Sequence, residues 1–178
     1  VELFQFMGKD NIPFHTIIFP ATLLGTKENW TMLKTISSTE YLNYEDLKFS
    51  KSRGTGVFGD QVRDTGIDPD IYRFYLLRNR PEKNDTQFFW TDFMEKVNGE
   101  LIDNYANLVN RVLQFINRFF DNIVPEFNKK NSIHSQIDFE KNIKETVSLF
   151  EEIELKKALL KILEISSLGN KFFQDNEP

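Results

Sequence analysis

The chain has 178 residues, 40% of them hydrophobic, so it can bury the core of one large domain or parts of two, and no apolar run approaches the roughly 20 residues of a membrane-spanning helix. A net charge of −5 argues against a general polyanion binder, and the absence of Cys excludes disulfides and thiolate zinc sites within these residues while fitting a reducing compartment. The charge is uneven: residues 1–47, 48–118 and 119–178 carry −3, +1 and −3, and all seven Arg fall between positions 53 and 118, so a phosphate-handling surface is sought in that middle third.

In chain order, residues 2–7 read as a short buried strand. Residues 12–24 read as a helix, with Pro13 in its first turn, a kink expected at Pro20 and Gly25 as its stop. Residues 31–44 alternate β-branched and aromatic side chains, the pattern of a strand or hairpin. Residues 45–57 are charged and glycine-containing, and read as a loop. A short helix over 60–64 is followed by a second through Arg78, opened by Asp68-Pro69-Asp70 with an acidic cap and Pro at the first helical position. Residues 79–87 form a polar linker.

A long helix is expected from Trp90 to about Asn122. One apolar stripe runs Phe93, Val97, Leu101, Tyr105, Leu108, Val112, Phe115 and Phe119, and a second runs Ile102, Ala106, Val109, Leu113, Ile116 and Phe120. Together they cover nearly half the circumference, which calls for two neighbouring helices. A loop over 123–135 and helices near 136–151 and 154–175 complete the chain. The 18 Phe suit such helix packing, each ring burying about 150–250 Å². The fold expected is mainly α with an α/β part: residues 1–58 as the end of a nucleotide-binding fold, 59–88 as a helical connection, and 89–178 as a helical bundle. The chain begins at Val1 without Met and ends directly after a helix pattern, and both ends are expected to be cuts through a longer protein.

The stretch richest in chemistry is Lys48-Phe49-Ser50-Lys51-Ser52-Arg53-Gly54, with three basic side chains, two hydroxyls and a glycine in seven residues. Lysine is a compact charge on a flexible stem, and serine hydroxyls and loop N–H groups bond phosphate oxygens. Such a loop suits a reaction in which charge builds on phosphates in the transition state. On these residues alone, a solvated basic turn or a kinase site fits equally well. Gly54-Thr55-Gly56-Val57-Phe58-Gly59 matches G-x-G-x-x-G, but it follows a basic loop rather than a buried strand, so a dinucleotide site is not expected there.

The run KFSKSRGTGVFGD, continuing as DTGIDPDIYRFYLLRNRPEKNDTQFFW, resembles the methionyl-tRNA synthetase family of class I aminoacyl-tRNA synthetases, in its eukaryotic-cytoplasmic and archaeal form. Lys48 to Ser52 are similar to the second class signature, Lys-Met-Ser-Lys-Ser, with Phe49 in place of Met. The resemblance extends upstream through Phe6-Met7-Gly8-Lys9-Asp10-Asn11-Ile12-Pro13-Phe14-His15, and downstream through Glu100-Leu101-Ile102-Asp103-Asn104-Tyr105-Ala106-Asn107-Leu108-Val109-Asn110-Arg111. Sister enzymes for Leu, Ile or Val usually follow the signature with Gly-Asn, and Arg53-Gly54 here favours methionine.

The resemblance implies the end of a Rossmann-type catalytic domain followed by an anticodon-binding helical bundle. It implies ATP-dependent activation of L-methionine and its transfer to tRNA(Met) in the cytoplasm. Magnesium would come with ATP, no zinc is expected in this segment, and no membrane partner is expected. Implied roles are ATP-phosphate contact for Lys51, assisted by Lys48, Ser50 and Ser52; the approach to ribose for Gly8 and Asp10; the methionine pocket for Asn11 and His15; and anticodon reading for Asn107 and Arg111. On residue type alone, His15 fits a satisfied core histidine, and the Asn107/Arg111 pair an ordinary solvated helix face. His134, in a polar stretch, is expected to be inert. The first class signature, His-Ile-Gly-His, is absent, so a further partner implied is the missing N-terminal half of the catalytic domain, without which the segment is expected to be inactive. The other reading is a non-catalytic tRNA-binding or assembly module derived from such an enzyme.

Overall fold

The computed structural model describes residues 1–126 and 138–176. The chain divides into two compact units, one built from Val1–Ile67 and Asn79–Trp90, the other from Asp68–Arg78 and Thr91–Pro178.

The first unit is α/β. Strand β1 (Leu3–Gly8) lies parallel to β2 (Leu33–Thr39), in register from Phe4 opposite Thr35 to Gly8 opposite Thr39. Parallel partners need a crossover rather than a turn. Here the crossover is helical, a π-type turn over Phe14–Ile18 passing into α1 (Phe19–Gly25). Pro20 sits where the winding changes from π to α. Proline brings no N–H to the ladder, so the hydrogen-bond pattern is free to change there.

The hairpin alternative for residues 31–44 is not what forms. Strand β3 (Leu42–Tyr44) instead pairs in parallel with β4 (Thr86–Phe88), a strand lying partly in the expected polar linker. The physical reason lies between β2 and β3. Glu40-Tyr41 offers no residue suited to the positive φ of a two-residue hairpin turn. Their N–H groups are also taken elsewhere, Glu40 donating to the Pro81 carbonyl at 2.9 Å and Tyr41 to Asp85 Oδ1 at 3.0 Å. Beside this pair the rings of Tyr44, Phe88 and Trp90 pack in sequence, and the Trp90 indole N–H donates to the Tyr44 hydroxyl at 2.8 Å. The short helix expected at 60–64 is a 3₁₀ turn over Val62–Thr65.

The second unit is helical. Helix α2 (Pro69–Arg78) starts as its sequence dictates, with Asp68 Oδ1 accepting from the Asp70 N–H at 2.8 Å and Pro69 at the first helical position. The expected long helix is α3 (Trp90–Lys96), a π-type stretch over Val97–Ala106, and α4 (Asn107–Phe120). It ends at Asp121 and Asn122, both at positive φ. Helices α5 (Phe139–Glu151) and α6 (Leu155–Asn176) follow, and α6 packs against α2, the π-type stretch, α4 and α5.

Tyr75, fully buried, centres the core with Tyr72, Phe93, Val97, Ala158 and Leu163. The Phe93 ring lies 5.3 Å from that of Tyr72 and 5.1 Å from that of Tyr75. Burial of the two apolar stripes is incomplete: Phe93 and Val97 are inside, whereas Ile102, Val109, Leu113 and Phe120 of the second stripe stay exposed. Most of the loop expected at 123–135, with His134, lies outside the described residues.

Candidate functional site

The first group of candidates sits at the carboxyl end of β1. Gly8 ends the strand, Asp10 and Asn11 follow in a 3₁₀ turn and stand exposed, and His15 occupies the π-type turn. The sequence therefore brings Gly8, Asp10 and Asn11 together at the end of a parallel strand, the place where open α/β sheets receive nucleotides. Half-buried His15 is oriented by β1: its Nδ1 lies 2.9 Å from Gln5 Oε1.

Lys9 stands between Gly8 and Asp10 and is not among the expected site residues. Its ammonium pairs with Glu40 and with Asp85 (3.1 Å) and lies 4.5 Å from the centre of the Tyr41 ring. These bonds, chiefly the one to Glu40, raise its pKa. Asp85 is held below the ordinary carboxylate range, first by the Tyr41 N–H and then by Lys9, with Lys48 adding to the field. Asp85 thus feels both the turn after β1 and the basic loop, which places these two candidate regions in electrostatic reach of one residue.

In the basic loop Lys48 and Lys51 point to solvent, and the Lys51 side chain is 81% exposed, 3.7 Å from Asp60. At that exposure the pair is a weak tether. The loop closes on itself: the Ser50 N–H donates to the Thr55 carbonyl at 3.0 Å, the Thr55 N–H to the Ser50 carbonyl at 2.9 Å, and the Ser50 and Ser52 hydroxyls are 3.3 Å apart. Phe49 faces the other way, its ring 5.3 Å from that of Tyr44 and 6.1 Å from that of Phe58. Gly56, at φ +110°, passes directly against the Phe49 ring, where a Cβ would stand 2.5 Å from Cε1. The glycines of the G-x-G-x-x-G match therefore include one whose use is steric. What the sequence could have signalled is an aromatic residue at the signature's second position followed by closely spaced glycines.

The second unit carries the remaining candidates. Asn107 and Arg111 converge on α6: Asn107 Nδ2 donates to Asn170 Oδ1 at 3.2 Å, and Arg111 Nη1 to the Asn170 carbonyl at 3.4 Å. Asn170 in turn donates to the Asn104 carbonyl at 2.8 Å. The Arg111 guanidinium lies 5.1 Å from the centre of the Phe173 ring, within cation–π range. An open groove of about 490 Å³ runs beside it, lined by Arg111, Gln114, Phe115, Arg118, Phe119, Phe173 and Gln174. Cations interleaved with aromatic faces are what a splayed base needs for stacking and edge contact.

Several of the seven arginines serve the fold instead. Arg78 grips Glu100 through two bonds of 2.7 and 3.0 Å, Arg80 reaches Ser37 at 2.5 Å, and Arg73 pairs with Asp70. Glu100 is thus an internal partner of Arg78. Among the described residues, no three His, Cys, Asp or Glu side chains converge as metal ligands, and no helix is long and apolar enough to cross a membrane.

The family described as tRNA synthetases class I (M) matches residues 1–113. The chain is 58% identical over 178 residues to the methionine–tRNA ligase of Borrelia garinii subsp. bavariensis, covering all of this chain and 24% of that protein. It is 52% identical over 186 aligned residues to the cytoplasmic methionine–tRNA ligase of Arabidopsis thaliana, covering 99% of this chain and 23% of that one. The chain therefore spans about a quarter of the length of these relatives. Among solved structures, Mycobacterium tuberculosis methionyl-tRNA synthetase bound by methionyl-adenylate matches in fold with a TM-score of 0.79 at 23% identity, over 98% of this chain and 34% of that one. The family match runs from the first residue into α4, and the chain belongs to the class I tRNA synthetases of the methionine type.

Proposed function

We propose that this chain supplies the phosphate-handling loop and the anticodon-reading helix of a methionine–tRNA ligase working in the cytoplasm. In the first step the carboxylate of L-methionine attacks the α-phosphate of ATP, which brings its own Mg²⁺, giving methionyl-adenylate and pyrophosphate. In the second, the 3′-terminal adenosine of tRNA(Met) takes the methionyl group and AMP leaves. The observation that carries this reading is the Lys51 ammonium, four-fifths exposed at the tip of a loop whose base is pinned by Phe49. As the bond to pyrophosphate breaks, charge gathers on the departing oxygens, and a mobile ammonium stabilises that state more than the bound substrates. Lys48 adds charge from the same loop, with Ser50 and Ser52 as hydroxyl donors.

At the end of β1, Gly8 permits close backbone approach and the Asp10 carboxylate accepts from ribose hydroxyls, while Asn11 and His15 line the methionine pocket. In the helical unit, Asn107 offers an amide to a base edge and Arg111 a guanidinium to stack or bond. A module that only bound tRNA would have no use for the Lys51 loop, which favours the ligase over that reading.

In the full-length ligase, Lys51→Ala is expected to slow ATP–pyrophosphate exchange by about 10²- to 10³-fold and leave the methionine dissociation constant nearly unchanged. Equal losses in both would remove the assignment. These 178 residues alone are expected to give no methionine-dependent exchange, and substantial exchange would refute that expectation.

A further inference from the structure

The loop has two faces, and only one of them is accounted for by phosphate chemistry. Phe49 stands between Lys48 and Ser50, and its ring is held between Tyr44 and Phe58. Tyr44 is itself fixed by stacking on Phe88 and by the Trp90 indole N–H. Against the Cδ1–Cε1 edge of the Phe49 ring runs the backbone of Gly56, in a left-handed conformation that L side chains rarely adopt, with no room for a Cβ. The paired N–H and carbonyl groups of Ser50 and Thr55 close the segment between these two residues. Lys51 is thus two residues from one anchor and inside the loop the other anchor closes.

We propose that Phe49 and Gly56 are positioning residues. By interlocking, they fix the base of the loop and so set where the Lys51 ammonium stands. The inference rests on the reading of Lys51 given above and adds to it a cause for its placement. Phe49 touches no substrate in this account; it acts through the lysine two residues away. Neither ring nor glycine contributes charge, so their effect is on geometry alone. Misplacing a catalytic group by about 1 Å is enough to cost on the order of 10²-fold in rate.

The test uses full-length ligase carrying Phe49→Ala, Phe49→Met, Gly56→Ala, the Phe49→Ala/Gly56→Ala double variant, and Lys51→Ala as reference. ATP–pyrophosphate exchange gives kcat and KM, and equilibrium methionine binding reports that each variant is folded. Phe49→Ala and Gly56→Ala are each expected to lower kcat by about 10- to 100-fold with KM for methionine unchanged. Phe49→Met, which restores bulk against Gly56, is expected to retain most of the rate. The double variant is expected to be no slower than the worse single one, because both changes break the same interlock. If Phe49→Ala does not fold, Phe49→Leu carries the same expectation.

Wild-type exchange in Phe49→Ala beside a slow Lys51→Ala overturns this inference alone. So does a double variant whose losses multiply, or a loss that falls on methionine KM. Wild-type exchange in Lys51→Ala overturns the reading of the loop and this inference with it.

Discussion

Asp92 carries a charge that its surroundings both resist and reward. Burial penalises the ionised carboxyl, but hydrogen bonds from Lys96 (2.7 Å) and Tyr75 (2.6 Å), with the Lys96 and Arg78 charges, outweigh that and hold its pKa below the ordinary aspartate range. A depressed carboxyl pKa means the unfolded chain takes up the proton first as pH falls. The stabilisation is therefore full above the ordinary aspartate value and is lost as pH drops through the native one. Melting followed by circular dichroism is expected to show the wild-type losing more thermal stability than Asp92→Asn between about pH 5 and pH 3. Parallel curves would remove Asp92 from the acid limb. At this scale the titratable candidates were legible because charge and spacing are written in the sequence: Lys48 and Lys51 could be picked out, and so could Asp10. Phe49 and Gly56 could not, because their relation is a contact in space between a ring and a backbone atom. Lys9 was passed over although it stands between two candidates, because its partners Glu40 and Asp85 are distant in sequence.

The long helix shows how an element can be read correctly and still be incompletely understood. Its apolar steps are all four from Phe93 to Tyr105 and mix threes with fours beyond. An α-helix of 3.6 residues per turn requires the mixture. A uniform step of four belongs to a wider winding, and the π-type stretch covers Val97–Ala106. That signal was present and could be recognised once the steps were compared with the turn. The pairing of β3 with β4 had no such signal, because Leu42 and its partner Thr86 lie far apart in the sequence.

Helix α6 offers a direct test of packing. A Cβ on Gly169 would come 2.7 Å from Leu108 Cδ2 and 3.1 Å from its Cδ1. Those methyls end a side chain that can swing, and alanine gains about 1 kcal/mol of helix propensity over glycine. Gly169→Ala is therefore expected to be close to neutral in denaturant unfolding. Gly169→Ile, whose branch cannot avoid Leu108, is expected to cost about 1–3 kcal/mol. Equal effects from the two would show that α4 and α6 do not approach there as closely as described.

For the whole molecule, what matters is that the candidate chemistry is divided between two units. Lys51 belongs to one, and Asn107 and Arg111 to the other. In the full-length ligase, Asn107→Ala or Arg111→Ala is expected to cost about 1–3 kcal/mol in discrimination between methionine and other tRNAs. Adenylate formation should proceed unaltered. Aminoacylation and exchange measured on the same preparations separate the two, and a matching defect in exchange would contradict the division of labour. The mainly helical class with an α/β part was legible from periodicity, and its identity from the motif run. The course of the chain between units was not: α2 packs with the helical unit whereas the residues after it return to the α/β one. Membership of that kind is decided by which surfaces fit, and local pattern does not encode it.

The reciprocal bonds between Ser50 and Thr55 also bear on affinity. Ordering one residue's backbone costs about 1–2 kcal/mol. Inside this closed rung the Gly54 N–H also donates to the Lys51 carbonyl at 3.2 Å, so a phosphate bound there as proposed would meet a backbone already largely ordered. On that proposal, the attraction between ammonium and anion would go to the chemical step instead of being consumed in stilling a floppy segment.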